Sequence, residues 1–120
     1  MSKEEAHRNK YESFKKDAIR EELFIPSRVE LYFDSIFHLI DMVCARFMVH
    51  VDSHKNVRRV ITAHPEIFKE KTKTVYTNFE ELERMIRPAQ VYGSPINGKN
   101  LEKTKKIFET LEKICQEAVS

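Results

Sequence analysis

The chain has 120 residues, of which 33% are charged, two are glycine and four are proline. This length supports one hydrophobic core, and we expect a single domain over residues 1–120. The scarcity of glycine and proline favours helices over a turn-rich sheet. A formal net charge of +2 is too small to indicate nucleic-acid binding by itself.

Neither a secretory signal nor a membrane span is indicated by the hydrophobic pattern. The N-terminal stretch MSKEEAHRNK is charged from its third residue and lacks the apolar run of a signal peptide. The apolar runs elsewhere are interrupted too often to cross a bilayer. We therefore expect a cytoplasmic protein without membrane contact. Its two cysteines, Cys44 and Cys115, lie among apolar residues, which predicts buried free thiols in a reducing compartment.

The first two predicted helices occupy the N-terminal half of the chain. A moderately amphipathic helix is predicted from about Ser2 to Leu23. Pro26 ends the connection that follows, and Ser27 is the predicted N-cap of the second helix. That helix runs to about Val51 and is the most apolar stretch of the chain, so we expect it to be central and most buried.

Three further helices complete the prediction. A short helix follows the capping residues 52–53 and stops at Pro65, where a fourth helix begins. The fourth helix is expected to be closed by Pro88 and Gly93, and the last helix to run from about Asn100 to Ala118. The predicted fold is all-α, an antiparallel up-and-down four-helix bundle with an additional short helix.

The second helix carries a narrow polar stripe on an otherwise apolar surface. Its members step by four, four and three residues, which places them on one face: Glu30, Asp34, His38 and Asp41. One interpretation is a polar seam satisfied by arginines such as Arg46 or Arg87, since a buried charge without a partner is costly. The alternative is a metal face built on Asp34, His38 and Asp41. The usual di-metal pattern of helical bundles, Glu-x-x-His on two helices, is missing, so we expect no metal and no other cofactor.

The start of the third helix is basic and indicates an anion site. The candidate phosphate- or RNA-binding residues all lie in its first turns, where free backbone amides already favour an anion: Ser53, His54, Lys55, Arg58 and Arg59. The alternative is a solvated helix face whose long side chains extend into water.

The stretch RPAQVYG, from Arg87 to Gly93, places an arginine and a tyrosine around a helix end. Arg87 and Tyr92 therefore either form a working site or only mark the end of the helix. In the structural alternative, Arg87 pairs with Asp34 or Asp41 across the bundle, and Tyr92 packs against the last helix.

Three segments together resemble the HEPN family, small all-α domains that occur beside minimal nucleotidyltransferases and in RNA-targeting toxins. SIFHLIDMVCARF, residues 35–47, is similar to the family's long central helix. SHKNVRRV, residues 53–60, resembles the start of its next helix. RPAQVYG followed by LEKTKKIFETLEKI is similar to its arginine-containing turn and final helix. The resemblance implies a homodimer whose two protomers line a shared cleft.

In active members of this family, an arginine is followed a few residues later by a histidine, and the implied reaction is metal-independent RNA cleavage. Here Arg87 matches the arginine, but Tyr92 stands five residues later and no histidine follows. Tyrosine has an ordinary pKa near ~10 and is a poor proton acceptor at neutral pH. We therefore expect a degenerate motif in a dimeric domain that binds RNA or a nucleotidyltransferase-type partner. The alternative is a toxin-like endoribonuclease using Arg87 and Tyr92, with His54 or His38.

Overall fold

The computed structural model describes residues 2–91 and 98–120, and this part of the chain is all-helical, without a β-strand. The predicted all-α class is confirmed. Single 3-10 turns precede the third and fourth helices, and a π-helical segment, Glu81–Ile86, joins the fourth to the fifth. The α-helices are α1 (Lys3–Ala18), α2 (Ile25–Arg46), α3 (Val57–Ala63), α4 (Thr72–Glu80), α5 (Arg87–Val91) and α6 (Gly98–Val119).

Helix α1 begins at a side-chain cap and ends earlier than predicted. The backbone N–H of Glu5 donates to Ser2 Oγ over 3.1 Å, which satisfies one of the free amides of the first turn. The helix ends at Ala18 instead of Leu23. There, Arg28 Nε donates to the Ala18 carbonyl over 2.9 Å, so a side chain from α2 replaces the missing helical donor.

Helix α2 starts two residues before the predicted cap. Phe24 is the N-cap residue and Pro26 lies in the first turn, where its missing N–H removes no helical hydrogen bond. The prediction of Ser27 as the N-cap is therefore wrong. The fixed φ of proline suits the first helical turn, so Pro26 belongs to the helix and does not precede it.

The C-terminal end of α2 is set by a left-handed residue. Met48 has a φ of 63°, and the N–H of Val49 donates to the Cys44 carbonyl over 2.9 Å. This six-residue closure is typical of a Schellman motif, which ends a helix by satisfying its last carbonyls. Helix α2 consequently stops at Arg46, five residues before the predicted end at Val51.

Pro88 does not close the fourth helical segment as predicted. The N–H of Arg87 donates to the carbonyl of Leu82, five residues earlier, so the hydrogen bonds have shifted to π-helical register. Pro88, which has no N–H to donate, then falls in the first turn of α5, and the helix continues to Val91. The segment also begins later than predicted, since α4 starts at Thr72.

Helix α2 is the central element, as predicted, and it packs against α1, α5 and α6. Both cysteines, Cys44 and Cys115, are buried and free, as predicted for the thiols themselves. No helix in the described residues is long and apolar enough to cross a membrane. The apolar side chains of α2 that are fully excluded from solvent are Val29, Ile36, Leu39, Ile40, Val43 and Cys44.

Candidate functional site

The polar stripe of α2 is divided between two neighbourhoods. Glu30 contacts Arg87, and Asp34 lies within the electrostatic reach of Arg87 and His54. One to two turns further along, the stripe turns towards α1 instead. Arg46 was expected to form an ion pair with the stripe. It pairs instead with Glu4 of α1, over 2.7 Å.

Arg87, the first residue of α5, is held from two sides. Its Nε and terminal nitrogen donate to the two carboxylate oxygens of Glu30 over 2.9 and 3.0 Å. The guanidinium carbon lies 3.8 Å from the centre of the Phe33 ring. The predicted pairing of Arg87 with Asp34 or Asp41 is wrong. Since Glu30 and Phe33 are three residues apart on α2, one helical face supplies both the carboxylate and the ring.

His54 contacts the same phenylalanine. Its ring meets the edge or face of Phe33 nearly at right angles, with centroids 5.3 Å apart, and lies 6.3 Å from the ring of Phe37. Its Nδ1 is 2.5 Å from a carboxylate oxygen of Glu83, whose side chain is only 9% exposed. An ionised carboxylate only accepts hydrogen bonds, so Nδ1 is the donor in this pair, and in the neutral form of the ring Nε2 is the acceptor nitrogen.

These groups border one open cleft of about 380 Å³. Its lining residues come from the 3-10 turn before α3, from the π-helical segment and from α5: His54, Lys55, Glu83, Arg84 and Arg87. Beside it, burial raises the pKa of the Asp34 carboxyl, and the charge of Glu30 raises it further, while Arg87 and His54 oppose the shift. The cleft therefore combines cations with carboxylates that neutralise them.

The remaining candidate phosphate-binding residues are distributed differently from the prediction. Ser53 caps the 3-10 turn, accepting from the Lys55 N–H over 3.3 Å. Arg58 points towards α4, where it donates to Glu80 over 3.2 Å and lies 4.4 Å above the Tyr76 ring.

Arg59 is not among the residues that line the cleft. Arg59 is exposed and makes no hydrogen bond or ion pair within residues 2–91 and 98–120. Tyr92 and the predicted Arg87–Tyr92 juxtaposition lie outside the residues that the structure describes. Of the candidate residues that the structure describes, the cleft therefore brings together Arg87, His54 and Lys55.

Sequence reasoning missed the acidic and basic groups of the π-helical segment. Glu83 and Arg84 line the cleft, and Arg84 also pairs with Glu80 over 3.3 Å. The sequence did contain a signal for them. Residues 80, 83 and 84 stand at helical spacing from Arg87, so they share a helix face with it.

The second neighbourhood of the stripe lies between α1 and α2. His7 Nδ1 is 3.1 Å from His38 Nδ1, and His7 Nε2 is 3.2 Å from Asp41 Oδ2. Burial lowers the pKa of His38 to about 4, with the charges of His7 and Lys10 acting in the same direction. Burial raises the pKa of Asp41, and the charge of His7 opposes that shift. His7 had no place in the sequence prediction because it stands in the charged N-terminal stretch.

No family model, curated protein or solved structure matches this chain.

Proposed function

We propose that the chain is a HEPN-like domain over residues 1–120, an up-and-down four-helix bundle with an additional short helix. In this proposal it forms a cytoplasmic homodimer that binds RNA through the Arg87 cleft and acts beside a nucleotidyltransferase-type subunit. The observation that carries the proposal is that Arg87 and His54, far apart in sequence, contact the same Phe33 ring and line one cleft.

The cleft has the groups that phosphate recognition needs. A guanidinium offers a planar pair of donors to phosphate oxygens, and Lys55 and Arg84 add positive charge at the rim. Glu30 accepts hydrogen bonds from Nε and one terminal nitrogen of Arg87, and Glu83 contacts His54. A phosphate that binds the guanidinium along the same edge must displace Glu30. We therefore expect weak, salt-dependent binding of single-stranded RNA.

Fluorescence anisotropy with a labelled single-stranded RNA, in EDTA, tests this function. Arg87→Ala removes charge-assisted hydrogen bonds to phosphate and should weaken binding about tenfold. Arg59→Ala is the matched control, because it removes the same charge from an exposed residue outside the cleft. Equal losses in the two variants would mean that binding is unspecific and does not use the cleft.

The proposed homodimer has a separate test. Size-exclusion chromatography with light scattering should give twice the 14.3 kDa chain mass at micromolar concentration. A monomer would contradict the dimer and leave the RNA experiment to decide the cleft by itself.

A second candidate function is metal-independent RNA cleavage, and the His54–Glu83 pair is the observation that favours it. A buried carboxylate that fixes the histidine tautomer leaves Nε2 as a general base for the ribose 2′-hydroxyl. Arg87 would stabilise the charge that develops on the phosphate, and Tyr92 remains a candidate hydrogen-bond donor.

Incubating RNA with the protein in EDTA distinguishes the two functions. Cleavage that is lost in both Arg87→Ala and His54→Ala supports the nuclease. Intact RNA together with salt-sensitive binding supports the binding domain. Cleavage that survives both substitutions would rule out this cleft as the active site.

A further inference from the structure

A cluster of three potential metal ligands lies where α1 packs on α2. One donor atom each from His7, His38 and Asp41 falls within 4.8 Å of the other two. We propose that this cluster binds a divalent transition-metal ion of the zinc class, with these three residues as its protein ligands. The proposal departs from the expectation from the sequence, which gave no metal, and it does not depend on the RNA cleft.

The charge balance of the cluster favours a cation. Asp41 is 3% exposed, and its ion-pair partner is His7; no lysine or arginine pairs with it in the part of the chain described. Lys10 and His50 act on Asp41 only through their charge, and His50 pairs with Asp52 instead. With both imidazoles neutral, the cluster carries one buried negative charge, which is costly unless it is paired or coordinated to a metal.

The donor set and its spacing fit a tetrahedral ion. Two imidazoles and one carboxylate are typical zinc ligands and are less suited to calcium or magnesium. Bonds of about 2.0–2.1 Å place tetrahedral donors roughly 3.3–3.4 Å apart, so the widest pair must close by at most about 1.5 Å. The contact between His7 Nδ1 and His38 Nδ1, at 3.1 Å, is already near that spacing. The 3.2 Å contact with Asp41 uses the other nitrogen of His7, so the His7 ring or the Asp41 carboxylate must turn for one nitrogen to serve the ion. His7 and His38 are partly exposed, which leaves room for water as the fourth ligand.

Neighbouring groups hold two of the ligands in place. The backbone N–H of Val51 hydrogen-bonds to the Asp41 carboxylate. Phe14 stacks on the His38 ring, with centroids 5.7 Å apart and planes within 11° of parallel. Such outer contacts orient metal ligands before the ion binds. Because the ligands come from both helices, an ion here would fasten α1 to α2 and stabilise the folded chain.

Calorimetric titration of the chelator-stripped, full-length protein with Zn²⁺ tests the site, and Co²⁺ absorption reports its geometry. We expect one ion per chain and the visible bands of tetrahedral cobalt. His7→Gln and Asp41→Asn should each weaken binding at least about tenfold. His64→Gln is the matched control, because His64 is exposed and pairs with Glu66, away from the cluster.

Circular dichroism of each variant shows whether it is folded. If Asp41→Asn does not fold, His7→Gln still tests the proposal. Zinc should raise the melting temperature of the wild type but not of His7→Gln. Absence of zinc binding in the wild type, or equal binding by His7→Gln, would overturn the site. The cluster would then be a hydrogen-bonded chain from Asp41 through His7 to His38.

Discussion

Replacing Glu30 with glutamine should increase the affinity of the cleft for RNA. The substitution keeps the size of the side chain but removes the negative charge that receives two hydrogen bonds from Arg87. In the wild type, a phosphate competes with this carboxylate for the guanidinium. In Glu30→Gln, the guanidinium remains stacked on Phe33, at 3.8 Å from the ring centre, and keeps its position.

The burial of the pair sets the size of the effect. The side chain of Arg87 is 23% exposed and that of Glu30 is 40% exposed, so water screens the attraction substantially. Exposed ion pairs contribute up to about 1 kcal/mol, and the two-pronged geometry places this pair near the upper end of that range. Releasing about 1 kcal/mol of competition corresponds to an increase of about fivefold in affinity.

Anisotropy titrations at fixed salt measure this change, with Glu102→Gln as the control. Glu102 is an exposed residue of α6 that pairs with Lys105 over 3.4 Å, and its replacement raises the net charge by the same amount. The control should change RNA affinity by less than about twofold, since distant exposed charges are screened. Unchanged or weaker binding by Glu30→Gln would refute the idea that Glu30 competes with phosphate at Arg87.

Two further predictions concern stability. Met48 is 93% exposed and has a φ of 63°, a region that glycine adopts without strain, so Met48→Gly should raise the free energy of unfolding by about 0.5–1 kcal/mol in urea titrations. Lys113 is an exposed residue in the middle of α6, and Lys113→Gly should lower the free energy of unfolding by about 1 kcal/mol. A lower free energy of unfolding in both glycine variants would contradict the strain argument. In metal-free buffer, stability should fall by on the order of 1–2 kcal/mol as the pH decreases from about 6.5 to about 4, because in this window the unfolded chain protonates His38 and the folded chain does not. The raised pKa of Asp41 acts in the opposite direction, and His38→Gln should flatten the slope; an equal slope in that variant would contradict the role of His38.

The sequence predicted the helices better than their ends. Hydrophobic periodicity identified α2 as the central helix because burial of a broad apolar face depends only on the local pattern. The end of α2 could not be read in the same way, since Met48 occupies a left-handed position that usually calls for glycine. The prediction that Pro88 ends its helix was wrong for a related reason. A proline normally stops a helix, but the preceding π-helical register of Arg87 accommodates it.

The candidate site was predicted in its components but not in its pairings. The stripe of α2 was visible as polar groups at helical spacing, His54 stood at the basic start of the third helix, and Arg87 stood at a helix end. The carboxylate that pairs with Arg87 is determined by the position along α2 at which α5 packs. Residue spacing within one helix does not give that position. His7 was missed for the same reason, because its role depends on the packing of α1 against α2.

The two neighbourhoods on α2 are separated by a single aromatic side chain, which matters for every experiment on either one. The ring of Phe37 lies 5.5 Å from that of His38 and 6.3 Å from that of His54. Phe37 is partly buried and packs near both imidazoles, so a change in the position of one ring can alter the packing around the other. An effect of zinc on RNA binding would therefore not by itself show that the metal lies in the cleft. His7→Gln separates the two sites, since it removes a metal ligand without altering a residue that lines the cleft.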